Sequence, residues 1–408
     1  MAASRSPGAS RARIAGESVA VLIGTAVNGV AAYAYIAVGT RTYGDAAMAP
    51  VAVLWTFWAV SVALFTFPIQ HWAIRRISVD GDTAGVGGAV PRLSAVAVAV
   101  AAAIALAAWL WRGTLFAEGS AGWPLLVFAV MAGSAFTGLQ RGVLSGRGRY
   151  YATAANIAAE NLLRLGLAVV IAAMSDSVLL FATALAFGPL VAVFWPEAVR
   201  LPLREPSRES PLGFLGGLAG GILVAQVILN AGPVVLQAIG GSAAAVTGLF
   251  LALALFRAPY LLALGVATRA TEPLTRLVLS GDCRAVRRVA TRIAASSLVA
   301  AAAGLAGGYL AGPWLIDLVF APGTPPRAAV VAWIAAGTAL ALGGLGLVLV
   351  LTAGGRTAEI QVAWLFGLVA GAVALLAWRG DPTGRVVAAF VVAELSGWLG
   401  LLGFIRRR

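Results

Sequence analysis

The chain reads as an all-α membrane protein of twelve transmembrane helices, arranged as two pseudo-symmetric lobes of six. Three observations predict this. Residues 17 to 405 form an almost unbroken series of apolar stretches, each near the roughly 20 residues that a spanning helix needs. The composition is 61% hydrophobic and 11% charged, with a mean hydropathy of +0.92, which no water-soluble globule sustains. Short signatures also recur about 200 residues apart, in the same order relative to the apolar stretches.

In chain order the stretches cover residues 17–38, 48–70, 93–111, 123–143, 153–174, 177–196, 212–236, 244–268, 292–312, 328–352, 357–378 and 386–405. They are continuous and do not alternate with period two, which argues for helices over barrel strands. An Arg-bearing start followed by an apolar run imitates a signal peptide. The run is too long for one and eleven more follow, so it reads as a retained first helix. The divisions expected are a tail at 1–16, a lobe at 17–199, a linker at 200–211, a second lobe at 212–405 and a basic tail at 406–408. The longest polar interval, 269–291, has room for a loop or a short surface helix only.

All 29 basic residues are Arg, and the net charge is +13. In a soluble protein this would suggest nucleic acid; here the positive-inside rule accounts for it and no nucleic-acid partner is expected. With a cytoplasmic N-terminus, five Arg fall on the far side (Arg41, Arg112, Arg327, Arg379, Arg385) and two within spans (Arg164, Arg257). The other 22 fall on the cytoplasmic side. A missed helix would scramble that split, so an even count with both termini inside is expected, in the cytoplasmic membrane of a bacterium. A single cysteine, Cys283, leaves no internal disulfide, and a single histidine, His71, leaves no multi-histidine metal site; no cofactor is expected.

The two halves repeat locally. Arg76 is followed after four residues by Gly81-Asp82, and Arg276 by Gly281-Asp282. GRGRYY at 146–151 stands before the fifth stretch, and GGRTA at 354–358 before the eleventh. Six helices per half insert both halves the same way up, a transporter plan that places a site between the halves near the midplane. Rows of glycine (Gly213, Gly216, Gly217, Gly220, Gly221; Gly304, Gly308, Gly312) suit close helix packing.

Three segments carry a family resemblance. They are YIAVGTRTYGDAAMAPVAV (35–53) with its counterpart VVLQAIGGSAAAVTGLFLALALFRAPYLL (234–262), GLQRGVLSGRGRYYATAANIAAENLLRLGLAVVI (138–171), and LVLTAGGRTAEIQVAW (349–364). Through them the chain resembles the polysaccharide flippases of the multidrug/oligosaccharidyl-lipid/polysaccharide exporter superfamily, over nearly its whole length. The resemblance implies two six-helix lobes around a central cavity. It also implies movement of undecaprenyl-pyrophosphate-linked oligosaccharides to the outer leaflet, beside other polysaccharide-assembly membrane proteins. The drug-exporting branch often carries an acidic residue in the first helix for cation coupling; here that helix offers Asn28 at depth and Glu17 only near its start.

Arg257, next to Pro259 in the eighth stretch, is the first candidate for substrate binding. A charge at that depth costs about 2.5–3.5 kcal/mol on insertion scales and needs a carboxylate, a water-filled cavity or an anionic ligand. Its planar fork suits a pyrophosphate, and a structural partner such as Glu394 is the alternative. Asn28, Gln226, Asn230 and Gln237 lie in the first and seventh stretches, which the resemblance turns toward the cavity. The spacing of Gln226, Asn230 and Gln237 makes one helical stripe, suited either to sugar hydroxyls or to interhelical hydrogen bonds. Glu160 and Arg164 are four apart and share a face with Asn156, whereas Asn161 does not; they read as a structural pair. Glu394 has no local basic partner and is either protonated, paired across helices, or a coupling site. Arg284, Arg287 and Arg288 share a helical face suited to anionic lipid headgroups, or to gathering a lipid pyrophosphate.

No Walker loop, HExxH or nucleophile elbow is present, and no catalytic residue is expected. The function expected is transport: flipping of a lipid-linked anionic glycan precursor by alternating access. A drug or metabolite exporter of the same fold is the first alternative. A membrane-embedded glycan polymerase or ligase is the second, disfavoured by short external segments.

Overall fold

The computed structural model describes residues 7–78, 81–117, 119–202 and 211–407. Arg5, Arg204, Arg208 and Arg408 lie outside these residues, as do the side chains of Arg11, Arg13 and Arg269. The described residues are mainly helical and contain no strand. The first half comprises α1 (Pro7–Tyr43), α2 (Asp45–Ser61), α3 (Phe67–Ser78), α4 (Thr83–Leu110), α5 (Arg112–Leu115), α6 (Gly122–Gly146), α7 (Tyr150–Met174) and α8 (Val178–Ala186). The second comprises α9 (Pro211–Asn230), α10 (Gly232–Ala238), α11 (Ala243–Phe256), α12 (Ala258–Leu279), α13 (Cys283–Phe320), α14 (Ala328–Ala353), α15 (Thr357–Ala377) and α16 (Pro382–Arg406).

Nine spans among the described residues are long and apolar enough to cross a membrane, α2 and α3 joining through a π-helical turn at Val62–Thr66. Two bent pairs bring the number to eleven: α9 with α10 at 58°, and α11 with α12 at 45°. Each break precedes a proline, Pro233 or Pro259, which has no N–H to continue the helical ladder. The sixth expected stretch, 177–196, is not one helix. It is α8 followed by a 3-10 helix, Gly188–Phe194, with Pro189 inside the break. Gly188 also lies against Arg164, where an added Cβ would come within 2.5 Å of the guanidinium Nε.

The polar interval 269–291 is not a loop. α12 runs through it to Leu279 and α13 starts at Cys283. At 38 residues, α13 is about 57 Å long by its helical rise, far more than a bilayer core of roughly 30 Å requires. Its Arg-rich first turns therefore project beyond the hydrocarbon. Large apolar side chains face outward along the bundle, including Met174, Leu310 and Leu376 at 81%, 82% and 78% exposure. In water such a surface would be untenable; in lipid it is the solvated face.

The two halves repeat in geometry as well as in sequence. Gly81 and Gly281 both hold positive φ, +65° and +74°. The following Asp82 and Asp282 each cap a helix, accepting from Gly85 N at 2.7 Å and Ala285 N at 2.9 Å. Gly148 and Gly355 again share a positive φ, and Arg149 N and Arg356 N close equivalent turns on Leu144 O and Leu351 O. Helix pairing repeats too. α1 lies on α7 as α9 lies on α15, α3 on α6 as α12 on α14, α4 on α6 as α13 on α14, and α7 on α8 as α15 on α16. The halves meet where α2 packs on α11, with Trp55 and Phe250 edge to face at 5.8 Å.

Candidate functional site

Among the described residues, three polar clusters lie within the packed helices. The first surrounds Arg257, which occupies the break between α11 and α12 and is 9% exposed. One guanidinium nitrogen donates to Asn230 Oδ1, at the matching break that ends α9. Asn230 Nδ2 donates to Gln226 Oε1 at 3.2 Å and to Gln226 O at 2.7 Å. Gln226 Nε2 in turn donates to the Tyr260 hydroxyl at 2.8 Å. From the other half, Tyr33 donates its hydroxyl to Ala254 O at 2.6 Å, three residues before Arg257. The structure thus assembles Arg257, Asn230 and Gln226, three of the residues read from the sequence.

Arg257 and Glu394 do not pair; among the described residues neither forms an ion pair, and both Arg257 Nε and Glu394 Oε2 are buried without a hydrogen-bond partner. Gln237 does not belong to this cluster. The 58° bend at Ala231 breaks the stripe that a continuous helix would have made, and Gln237 Nε2 instead donates to Thr114 O on α5 at 3.0 Å. Asn28 is half-buried on α1; its backbone carbonyl accepts from Asn161 Nδ2 at 3.1 Å.

The second cluster is centred on Glu160. Arg164 approaches one carboxylate oxygen at 2.5 Å, the pair expected from spacing. Arg141 of α6 takes the other oxygen. Three further guanidinium donors are satisfied: Arg164 Nε by Leu185 O at 3.1 Å, Arg164 Nη1 by Asn161 Oδ1 at 2.9 Å, and Arg141 Nε by Asn156 Oδ1 at 3.1 Å. Arg164 also stacks over Trp58 at 4.9 Å. Asn161 therefore joins the network despite its offset from the Glu160 face, since it lies three residues before Arg164. Arg141 was hidden from sequence reading, because its place near the end of a span made it one more cytoplasmic Arg. A cavity of about 20 Å³ beside Thr66, Ser134, Thr137 and Arg141 has room for one water.

The third cluster closes the two halves against each other at one end. Asp45, the first residue of α2, accepts from Gly323 N at 2.9 Å and Thr324 N at 2.8 Å, and its carbonyl accepts from Thr247 Oγ1 at 2.6 Å. Thr40 donates to Phe320 O at 2.7 Å. This is the end that the Arg asymmetry leads one to expect outside the cell. At the opposite end, Arg284, Arg287, Arg288 and Arg292 are exposed along α13, and a cavity of about 100 Å³ is lined by Cys283, Arg287 and Arg356.

No protein-family description matches the chain, and no curated protein is recognisably similar in sequence. Solved structures do match. Superposition on the inward-facing conformation of a multidrug resistance MATE family transporter of the MOP superfamily gives a TM-score of 0.70 at 16% identity, covering 94% of this chain and 96% of that one. Lipid II flippase MurJ in an inward closed conformation gives 0.63 at 12% identity, covering 96% and 87%. An outward-facing MATE family transporter of the MOP superfamily gives 0.63 at 15% identity, covering 96% and 95%. The chain therefore has the fold shared by these multi-pass transporters. At such identities the likeness concerns the fold alone.

Proposed function

We propose that the chain is a bacterial cytoplasmic-membrane flippase, moving an undecaprenyl-pyrophosphate-linked oligosaccharide or a related lipid-linked glycan precursor by alternating access. One observation carries the reading. Arg257 is a buried cation held by the Asn230 amide and facing no carboxylate partner among the described residues. Such a charge is retained where something compensates its desolvation, and an anionic substrate arriving as the lobes part would do so. Gln226, Asn230 and Asn28 would then offer amides to sugar hydroxyls. The exposed Arg residues of α13 would hold anionic headgroups at the cytoplasmic face, and other polysaccharide-assembly proteins would be neighbours in the membrane.

A drug or metabolite exporter is the second reading, favoured by the good superposition on multidrug transporters. It calls for a cation-accepting, acidic cavity; Glu160 is already neutralised by two arginines, so Glu394, with no ion pair among the described residues, is the carboxylate it would have to use. The test is export of lipid-linked glycan at matched protein levels. Arg257→Ala should abolish export with insertion intact, and Arg257→Lys should restore part of it, keeping charge but losing the bidentate fork. Full activity in Arg257→Ala would end the reading.

A further inference from the structure

We propose that Glu394 is a proton-binding site whose occupancy is linked to the binding of an anion at Arg257. The linkage rests on the anion reading of Arg257. Two carboxylates lie deep in membrane helices, and they are treated differently. Glu160 is bracketed by Arg141 and Arg164, so its charge is permanently matched. Glu394 is 1% exposed, halfway along the 25 residues of α16, and its Oε2 has no hydrogen-bond partner.

The helices packed on α16 supply no cation to it. α16 lies against α9, α10, α13, α14 and α15. α9, α10 and α14 contain no titratable residue at all. α15 contributes only Glu359, near its start and paired with Arg356. On α13, Cys283, Arg284, Arg287, Arg288, Arg292, Tyr309 and Asp317 are all exposed. On α16 itself, Arg385 bonds to Leu375 O and Arg406 is exposed. The link to Arg257 runs through these same helices: α16 packs on α9 and α10, at whose junction Asn230 accepts from Arg257, and Gln226 of α9 donates to the hydroxyl of Tyr260 on α12.

Burial without a cation disfavours the charged carboxylate, so a proton is the ligand that such a site retains. Among the described residues no group of carboxylates gathers around it, as the oxygen cage of a metal cation would need. Among the described residues Glu394 and Arg257 are then the two buried charged side chains of the second half without an ion pair, and the series Tyr260, Gln226, Asn230 is hydrogen-bonded through to Arg257. With Glu394 neutral, the positive charge of Arg257 is fully available to an anion. With Glu394 ionised, the pair approaches neutrality and the anion is held less well. Anion binding and proton binding therefore favour each other, and linkage makes the effect reciprocal.

The experiment uses the purified full-length protein with sulfate, an anion that does not itself titrate from mildly acidic to mildly alkaline pH. Wild-type affinity should fall as pH rises, by up to about tenfold per pH unit, the limit for one linked proton. Sulfate addition in weak buffer should draw a proton from solution. Glu394→Gln should bind sulfate with neither effect, and Arg257→Gln should lose the pH-dependent binding. Replacing sodium by choline should change nothing; sodium dependence would overturn the proton in favour of a metal cation. Sulfate binding by the wild type without proton uptake, or pH dependence persisting in Glu394→Gln, overturns the Glu394 assignment alone. Absence of any wild-type sulfate binding instead strikes the anion site at Arg257, and the linkage with it. Should Glu394→Gln fail to accumulate, proton uptake by the wild type still decides.

Discussion

Asp45 holds the backbone amide of Thr324 at 2.8 Å, tying the first turn of α2 to the connection between α13 and α14 in the other half. With the Gly323 amide beside it, one carboxylate fastens both halves at the expected external end. A hydrogen bond to a charged group contributes about 1.5–3 kcal/mol, enough to bias a closed arrangement over an open one. In Asp45→Ala, a cysteine placed at the buried Thr40 should react several-fold faster with an external maleimide, on a Cys283→Ser background. Unchanged reactivity would mean that this contact does not govern closure.

Asn230 supplies both an acceptor to Arg257 and a donor to Gln226. Asn230→Leu leaves a buried guanidinium nitrogen without its acceptor, at a cost of about 1–3 kcal/mol. The thermal midpoint of the solubilised protein should drop. Combining it with Arg257→Ala should cost less than the two single changes together, because the residues share one bond. Strict additivity would show that the bond carries little energy.

Glu160→Gln leaves two guanidinium groups facing each other without their carboxylate. Breaking a buried pair costs about 3–5 kcal/mol, so abundance in the membrane should fall sharply. Arg141→Gln should be milder, since Arg141 is the more exposed partner and Arg164 keeps its bond. Equal abundance of Glu160→Gln and wild type would remove the structural role of this network.

Cys283 is the natural topology probe, exposed at the first turn of α13. A membrane-impermeant maleimide should label it in inverted vesicles and not in intact cells. Labelling from outside would reverse the orientation argued from arginine placement.

Much of the architecture was legible in the chain. Hydropathy located the membrane stretches, and the Arg-x4-Gly-Asp pair marked two turns that both have positive φ and an Asp cap. The interruption of the sixth stretch was less legible, because a Gly-Pro pair in an apolar run is compatible with either a kink or a break. The grouping of Arg257, Asn230 and Gln226 rested on the resemblance, which turns their stretches toward one cavity, and the structure joins them by hydrogen bonds. The exclusion of Gln237 was not legible, because a stripe persists only while the helix stays straight.

Composition and periodicity determined by themselves that this chain lives in lipid, as paired bundles of helices. Those properties depend on transfer free energy and chain direction, which are local and additive along the sequence. Only the tertiary structure decided which buried charges are matched. Glu160 finds Arg141 on a different helix, while Glu394 finds no cation on the helices around it. Charge compensation acts across space over a few ångströms, so it is set by which helix faces meet and at what bend, quantities that no stretch of sequence contains alone.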